Sequence, residues 1–239
     1  MTLVRPTRIN GGALHTLPLW QGVHVLSLEL LHYFSLEQLL EVMDTPPSLA
    51  KKISSLLSSH TPRRLNPENK GRAAVLIPIF QDDRDLYFLL TLRTDKVETH
   101  KNQISFPGGV RDPEDGELVQ TALRESWEEV GLAAGKVTIL GEFDEYYSVT
   151  DLIVTPYVGW LESLSDLTPN PDEVQEILQV PWTIFRNDNL LRIEMRKRFE
   201  REMKIYFYRF GEQEVWGLTA QIIRDFLQLI EPLEHSGSD

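Results

Sequence analysis

The stretch FPGGVRDPEDGELVQTALRESWEEVGL, Phe106–Leu132, decides the fold. It places Glu125, Glu128 and Glu129 within one helical turn, after a Phe-Pro-Gly-Gly loop and just before Gly131. Like charges three and four residues apart on a helix repel. Val119, Ala122, Leu123, Ser126 and Val130 recur at helical spacing and predict a buried stripe on a helix over Leu118–Val130. The three acids then fall on the opposite side, and Gly131 is placed for a left-handed C-terminal cap. Two readings fit them: a solvated acidic face, or a divalent-metal site. Their position near the helix C-terminus, where the macrodipole favours cations, speaks for a metal. Carboxylates beside a carbonyl of a glycine loop suit Mg2+ or Mn2+, ions that also hold phosphates.

Outward from this helix, AAVLIPIF (Ala73–Phe80) and LYFLLTLR (Leu86–Arg93) are apolar runs separated by a polar turn, a β-hairpin pattern. KVTILGEF (Lys136–Phe143) and IVTPYVGWL (Ile153–Leu161) read as strands. Asn170–Phe185 reads as a short helix followed by a turn. Arg196–Phe210 ends in a strand that turns through Gly211, and Thr219–Ile230 is a closing amphipathic helix. Interleaved strands and helices, with hairpins, predict an α/β (α+β) chain built on a mixed sheet flanked by helices.

Residues 1–65 differ in texture. Ser35–Met43 carries a capped amphipathic helix pattern, Asp44-Thr45-Pro46-Pro47 ends it, and Ser48–Leu57 repeats the pattern. This part reads as a small, mostly helical N-terminal extension, a cap or a dimerisation element. A main domain over 66–232 and a frayed tail over 233–239 follow.

The 239 residues contain no cysteine, which excludes disulfides, thiolate metal sites and thiol nucleophiles. Thirty-six acidic against 24 basic residues give a net charge of −12, unfavourable for non-specific binding to nucleic acid or anionic membranes. No window is apolar enough to span a bilayer, and a cytoplasmic setting is expected. A homodimer is left open.

Gly109, Arg124-Glu125, Glu128-Glu129 and Gly131-Leu132 resemble the Nudix box, Gly-x5-Glu-x7-Arg-Glu-U-x-Glu-Glu-x-Gly-U with U apolar. The span from Gly109 to Arg124 is one residue longer than that pattern. Its first Glu falls near Asp115 or Gly116, and Ser126 replaces an apolar residue. The longer span, with Asp112, Asp115, Thr121, Ala122 and Leu123, looks like the coenzyme A pyrophosphatase branch. Upstream, Leu89, Leu90, Thr91 and Arg93 are similar to that branch's coenzyme A motif, but Glu98 stands where Arg is usual and Asn102 where Gly is usual.

The resemblance implies an α/β/α sandwich and a Mg2+- or Mn2+-dependent diphosphatase. Its substrate would be coenzyme A or its thioesters, and its products a phosphopantetheine species and adenosine 3′,5′-bisphosphate. It assigns Glu125 and Glu129 to the metal with help from the Gly109 carbonyl, and Glu128 as a further ligand or as the base. Glu173 is the other candidate base, or else a helix N-cap acid. Arg124 is structural, paired within its own helix or freely solvated. Arg93 grips substrate phosphate or is a surface arginine at a strand end, and His100 and Lys101 supply charge near the 3′-phosphate or are surface residues. Gly108 and Gly131 shape the backbone. The rivals are a Nudix enzyme for NDP-sugars, dinucleotides or NADH, and a non-catalytic nucleotide-binding domain.

Overall fold

The structure, a computed structural model, describes residues 48–67, 70–82, 85–96, 101–198 and 201–234. The described residues fall in one unit, Pro46–Asp239. The candidate helix over Ser35–Met43 lies outside them.

Helix α1 (Ser48–Ser59) is followed by the long strands β1 (Gly71–Asp82) and β2 (Asp85–Arg93), which form the expected antiparallel hairpin. Two short strands come next, β3 (Ile104–Ser105) and β4 (Gly108–Val110), then helix α2 (Leu118–Val130). Strands β5 (Val137–Glu142), β6 (Tyr146–Tyr147), β7 (Leu152–Leu161) and β8 (Val174–Pro181) complete a mixed sheet. A separate three-stranded sheet is made of β9 (Leu191–Arg198), β10 (Arg201–Phe210) and β11 (Gln213–Trp216), and helix α3 (Gly217–Glu234) ends the described chain.

The site depends on how β1 shares its edges. One edge of β1 runs parallel to β7 from Gly71 to Ile79. The other edge is divided: Ala73–Val75 pair with β4, and Ile79–Asp82 pair with β2. Strand β2 is divided likewise, with β8 along one edge and β1 then β3 along the other. The β3–β4 segment therefore enters as a wedge between β1 and β2, and the Phe-Pro-Gly-Gly loop sits where the sheet opens.

Alternation along β1 builds a core on each face. Ala74, Leu76 and Phe80 join Leu89, Ala122, Val130 and Leu132 beneath α2. Ile77 and Ile79 join Phe88, Leu90, Ile53, Leu57 and Phe226 beneath α1 and α3. The result is the expected helix–sheet–helix sandwich.

One expectation is corrected, one strand was not anticipated, and one boundary meets packed structure. Residues 174–181 form a strand, not a helix, because seven consecutive residues of β2 pair with it; tertiary pairing overrides a short ambiguous apolar pattern. Strand β9, masked in the sequence by Arg and Lys, shows only as the alternation Leu191, Ile193, Met195. The boundary at residue 65 runs through packed structure. Ile53 is fully buried, and Ser54 Oγ donates to the Leu140 carbonyl of β5 at 3.1 Å. The backbone amide of Leu65 donates to the buried Glu145 at 2.7 Å.

If α1 belongs to this core, Ile53→Ala will lower unfolding free energy by about 2–5 kcal/mol. Urea denaturation measures it, and a loss within experimental error would return α1 to the status of an appendage.

Candidate active site

Helix α2 occupies the residues the sequence pattern gave it. Its start is fixed when the Glu117 amide donates to Gln120 Oε1 at 3.0 Å, half of a capping box. Gly131 adopts φ 68 as expected, and its amide donates to the Trp127 carbonyl at 2.9 Å. The amides of Thr168 and Asn170 cover the Val130 and Glu129 carbonyls at 2.9 and 2.8 Å. The helix end is thus closed by a loop of the same chain.

The predicted stripe is rotated. Thr121 and Glu129 are buried, whereas Val119 and Leu123 are half-buried. Glu129 does not share the outer face with its neighbours: it reaches Arg93 of β2 and the Gly108 amide of β4 at the opening of the sheet. The side chains of Glu129, Glu125 and Glu128 are 2%, 17% and 49% exposed, a gradient from core to solvent.

Glu129 accepts from Arg93 Nη1 at 2.9 Å and from the Gly108 amide at 3.3 Å. Burial nonetheless pushes its pKa up to about 7, with Arg93 opposing and the charges of Glu125 and Glu173 assisting. Burial also raises Glu125, against the pull of Arg124. Glu125 lies so close to Gly109 that a Cβ there would overlap its carboxylate, 2.6 Å from Oε2. The two glycines let the α2 acids touch the β4 backbone.

Arg124 pairs with Glu125 and Glu128 through Nη1, both at 2.9 Å. Its main partner lies elsewhere. Nε and Nη2 grip both oxygens of Asp115 at 3.0 Å, a bidentate pair. Asp115 also accepts from Thr121 Oγ1 at 2.8 Å and the Asp112 amide at 2.9 Å. Hydrogen bonding to Arg124 holds this carboxyl well below the usual carboxylate range. In the sequence, Asp115 is visible only as a fit to the branch pattern, since a loop residue nine positions upstream has no periodic signal.

Arg93, at the end of β2, is not a surface arginine: it is the counter-ion of Glu129, and its Nε is buried without a hydrogen-bond partner among the described residues. A register irregularity between Leu92 and Arg93 re-aims it. Glu173 precedes β8 in a turn, so it caps no helix. Its backbone carbonyl accepts from the Thr94 amide at 2.9 Å, and its charge is felt by both Glu125 and Glu129. Lys101 is exposed, and His100 and Glu98 lie outside the described residues. Asn102 has φ 55, a left-handed conformation that glycine adopts freely and Asn tolerates. Trp127, beside Glu128, is 58% exposed.

Among the described residues, no three acidic or histidine side chains stand close enough to hold an ion as placed. The carboxylates are divided between Arg93, Arg124 and the Gly108 amide. The donor set still fits a hard divalent cation: two carboxylates whose ionisation is resisted meet at a backbone where a glycine leaves room.

A model of the NUDIX domain matches residues 70–203, more than half of the chain. The chain belongs to the Nudix family. It is 37% identical over 170 residues to an uncharacterised Nudix hydrolase NudL of Photorhabdus laumondii, covering 71% of this chain and 90% of that protein. It is 34% identical over 198 residues to the mitochondrial Nudix hydrolase 15 of Arabidopsis thaliana, covering 77% and 68%. The mouse peroxisomal coenzyme A diphosphatase NUDT7 is 29% identical over 195 residues, covering 75% and 83%. As a Nudix hydrolase, the protein acts on a diphosphate linkage in a small nucleotide-type substrate.

Glu129 makes the metal-free protein pH-sensitive. Its folded pKa lies above the ordinary 4.5, so the favourable contribution of the neutral acid is complete below that value and is lost as pH rises through about 7. Melting curves of metal-free protein between about pH 5 and about pH 8 should show this decline, and Glu129→Gln should flatten it. Parallel slopes for the two proteins would exclude Glu129 as the source.

Proposed function

We propose that the chain is a Mg2+- or Mn2+-dependent diphosphatase of coenzyme A or its thioesters, releasing a phosphopantetheine species and adenosine 3′,5′-bisphosphate. The observation that carries the site assignment is the pair Glu125 and Glu129 laid against the Gly108–Gly109 backbone. Substrate class is supported by Leu89, Leu90, Thr91 and Arg93 and by the NUDT7 similarity. Asn102 belongs to the same support: where that motif has Gly, this chain keeps the left-handed backbone.

Glu125, Glu129 and the Gly109 carbonyl would hold the cation, with Glu128 at the wet side. A bound divalent ion screens the diphosphate charge and acidifies a water. Arg124 can yield Glu125 and Glu128 without losing its own place, because only Nη1 serves them while Nε and Nη2 stay on Asp115. Arg93 keeps Glu129 oriented and carries an unused buried N–H at the same opening. Glu173 is assigned as the general base: its charge acts on the acidic pair from a separate element, whereas Glu128 lies on the solvent side, 49% exposed. Water oxygen bonds to one phosphorus, the bridging P–O bond breaks, the leaving phosphate takes its electron pair, and Glu173 takes the water proton. Lys101, which is exposed, is assigned to the 3′-phosphate together with His100. The negative net charge favours small-molecule partners over nucleic acid or membrane, in a cytoplasmic setting.

The deciding assay offers coenzyme A, an ADP-sugar, a dinucleotide and NADH with Mg2+ or Mn2+ and separates the products chromatographically. Coenzyme A should be cleaved fastest; rapid ADP-sugar turnover with coenzyme A untouched would overturn the substrate. Glu173→Gln should lower kcat by about 10²–10⁴-fold. Gly109→Ala, which crowds Glu125, should weaken Mn2+ binding by about 10–100-fold in calorimetric titration. Unchanged Mn2+ affinity in Gly109→Ala and Glu129→Gln together would remove the metal from this helix.

A further inference from the structure

The turn that carries Glu173 is held from two sides. On the α2 side, the Thr168 and Asn170 amides reach the last helical carbonyls. On the β2 side, Thr94 donates twice: its amide to the Glu173 carbonyl at 2.9 Å, and its Oγ1 to the Asp172 carbonyl at 3.0 Å. Thr94 is 6% exposed and bridges 78 positions of sequence.

Asn170 sets the local shape of the turn. Its carbonyl accepts from the Glu173 and Val174 amides at 3.0 and 2.8 Å, and its Oδ1 from the Asp172 amide at 3.2 Å. None of these bonds fixes the turn against β2. The β2–β8 ladder ends at Arg93 opposite Val174, immediately after its irregularity, so beyond that point the turn depends on Thr94. Lys96 Nζ adds an exposed contact to the Pro171 carbonyl at 3.2 Å. Arg93, one residue before Thr94, holds Glu129. The same strand end therefore places a metal-side acid through one residue and the Glu173 backbone through the next.

We propose that Thr94 is a positioning residue for Glu173, fixing the backbone that carries that carboxylate. The proposal rests on the assignment of Glu173 as general base. Small displacements of a reacting group are expensive in rate, so the hydroxyl matters to turnover more than to binding.

The test is a double-mutant cycle. Thr94→Val removes the hydroxyl at nearly constant volume and should lower kcat about tenfold while KM stays within about twofold. Thr94→Ser, which keeps the donor, should restore kcat, and Mn2+ affinity should be unchanged in both. In a Glu173→Gln background, Thr94→Val should have no further effect on kcat. Native kcat in Thr94→Val beside a crippled Glu173→Gln would overturn the role of Thr94 alone, as would additive losses. A fully active Glu173→Gln would instead remove the base, and the Thr94 role with it. If Thr94→Val melts early, Thr94→Ala is read in the same way; loss of the fold in both, restored by Ser, makes the residue structural and overturns the proposal.

Discussion

Glu129 is a carboxylate sunk where the central sheet opens between β1 and β2, and most of the site is arranged around that burial. A buried carboxylate is unfavourable unless it is paired or protonated. The chain supplies one guanidinium, from Arg93, and one amide, from Gly108, and these do not fully offset desolvation. Each of those partners has its own structural prerequisite. Gly108 is available only because β3 and β4 wedge apart two strands that pair elsewhere along their length. Arg93 points inward because the ladder slips by one residue before it.

A second guanidinium solves a different problem. Arg124 serves three acids with unequal commitment, two nitrogens to Asp115 and the third shared by Glu125 and Glu128. The Asp115 pair fastens the loop before α2 to the middle of the helix, with Thr121 completing the carboxylate's bonds. The shared contact neutralises the outer acids while leaving them exchangeable. A fixed anchor and a shared contact on one side chain let an acidic helix fold with its charges paired.

The turn that carries Glu173 is built differently. Glu173 is not on a helix or within a strand, and its place is defined by backbone bonds from the end of α2 and the end of β2. Those two elements also present Glu129 and Arg93. Three charged groups from distant parts of the chain therefore share one set of supports, so displacing either support moves more than one of them.

The extent of α2, its glycine cap, the β1–β2 hairpin and β7 were legible in the sequence because each follows from a local period or a local backbone requirement. The Glu125, Glu128 and Glu129 cluster was legible for the same reason. Which acid would be buried was not, since a helical wheel does not know the angle at which α2 meets a divided sheet. The strand at Val174–Pro181 was misread, because its pairing with β2 lies about 85 residues away along the chain and outweighs a weak local preference. Asp115 and Thr94 carry no periodic signal: one is a loop acid, visible only as a fit to the branch pattern, and the other a threonine past a strand end, and their bonds to Arg124 and Asp172 give them their roles. Sequence alone thus determined α2 with its cap, the β1–β2 hairpin, β7 and the chemical character of the acidic helix, through short-range periodicity and glycine's backbone freedom. Tertiary structure decided the partner of each charge, because those pairings are set by distances between residues that no local rule relates.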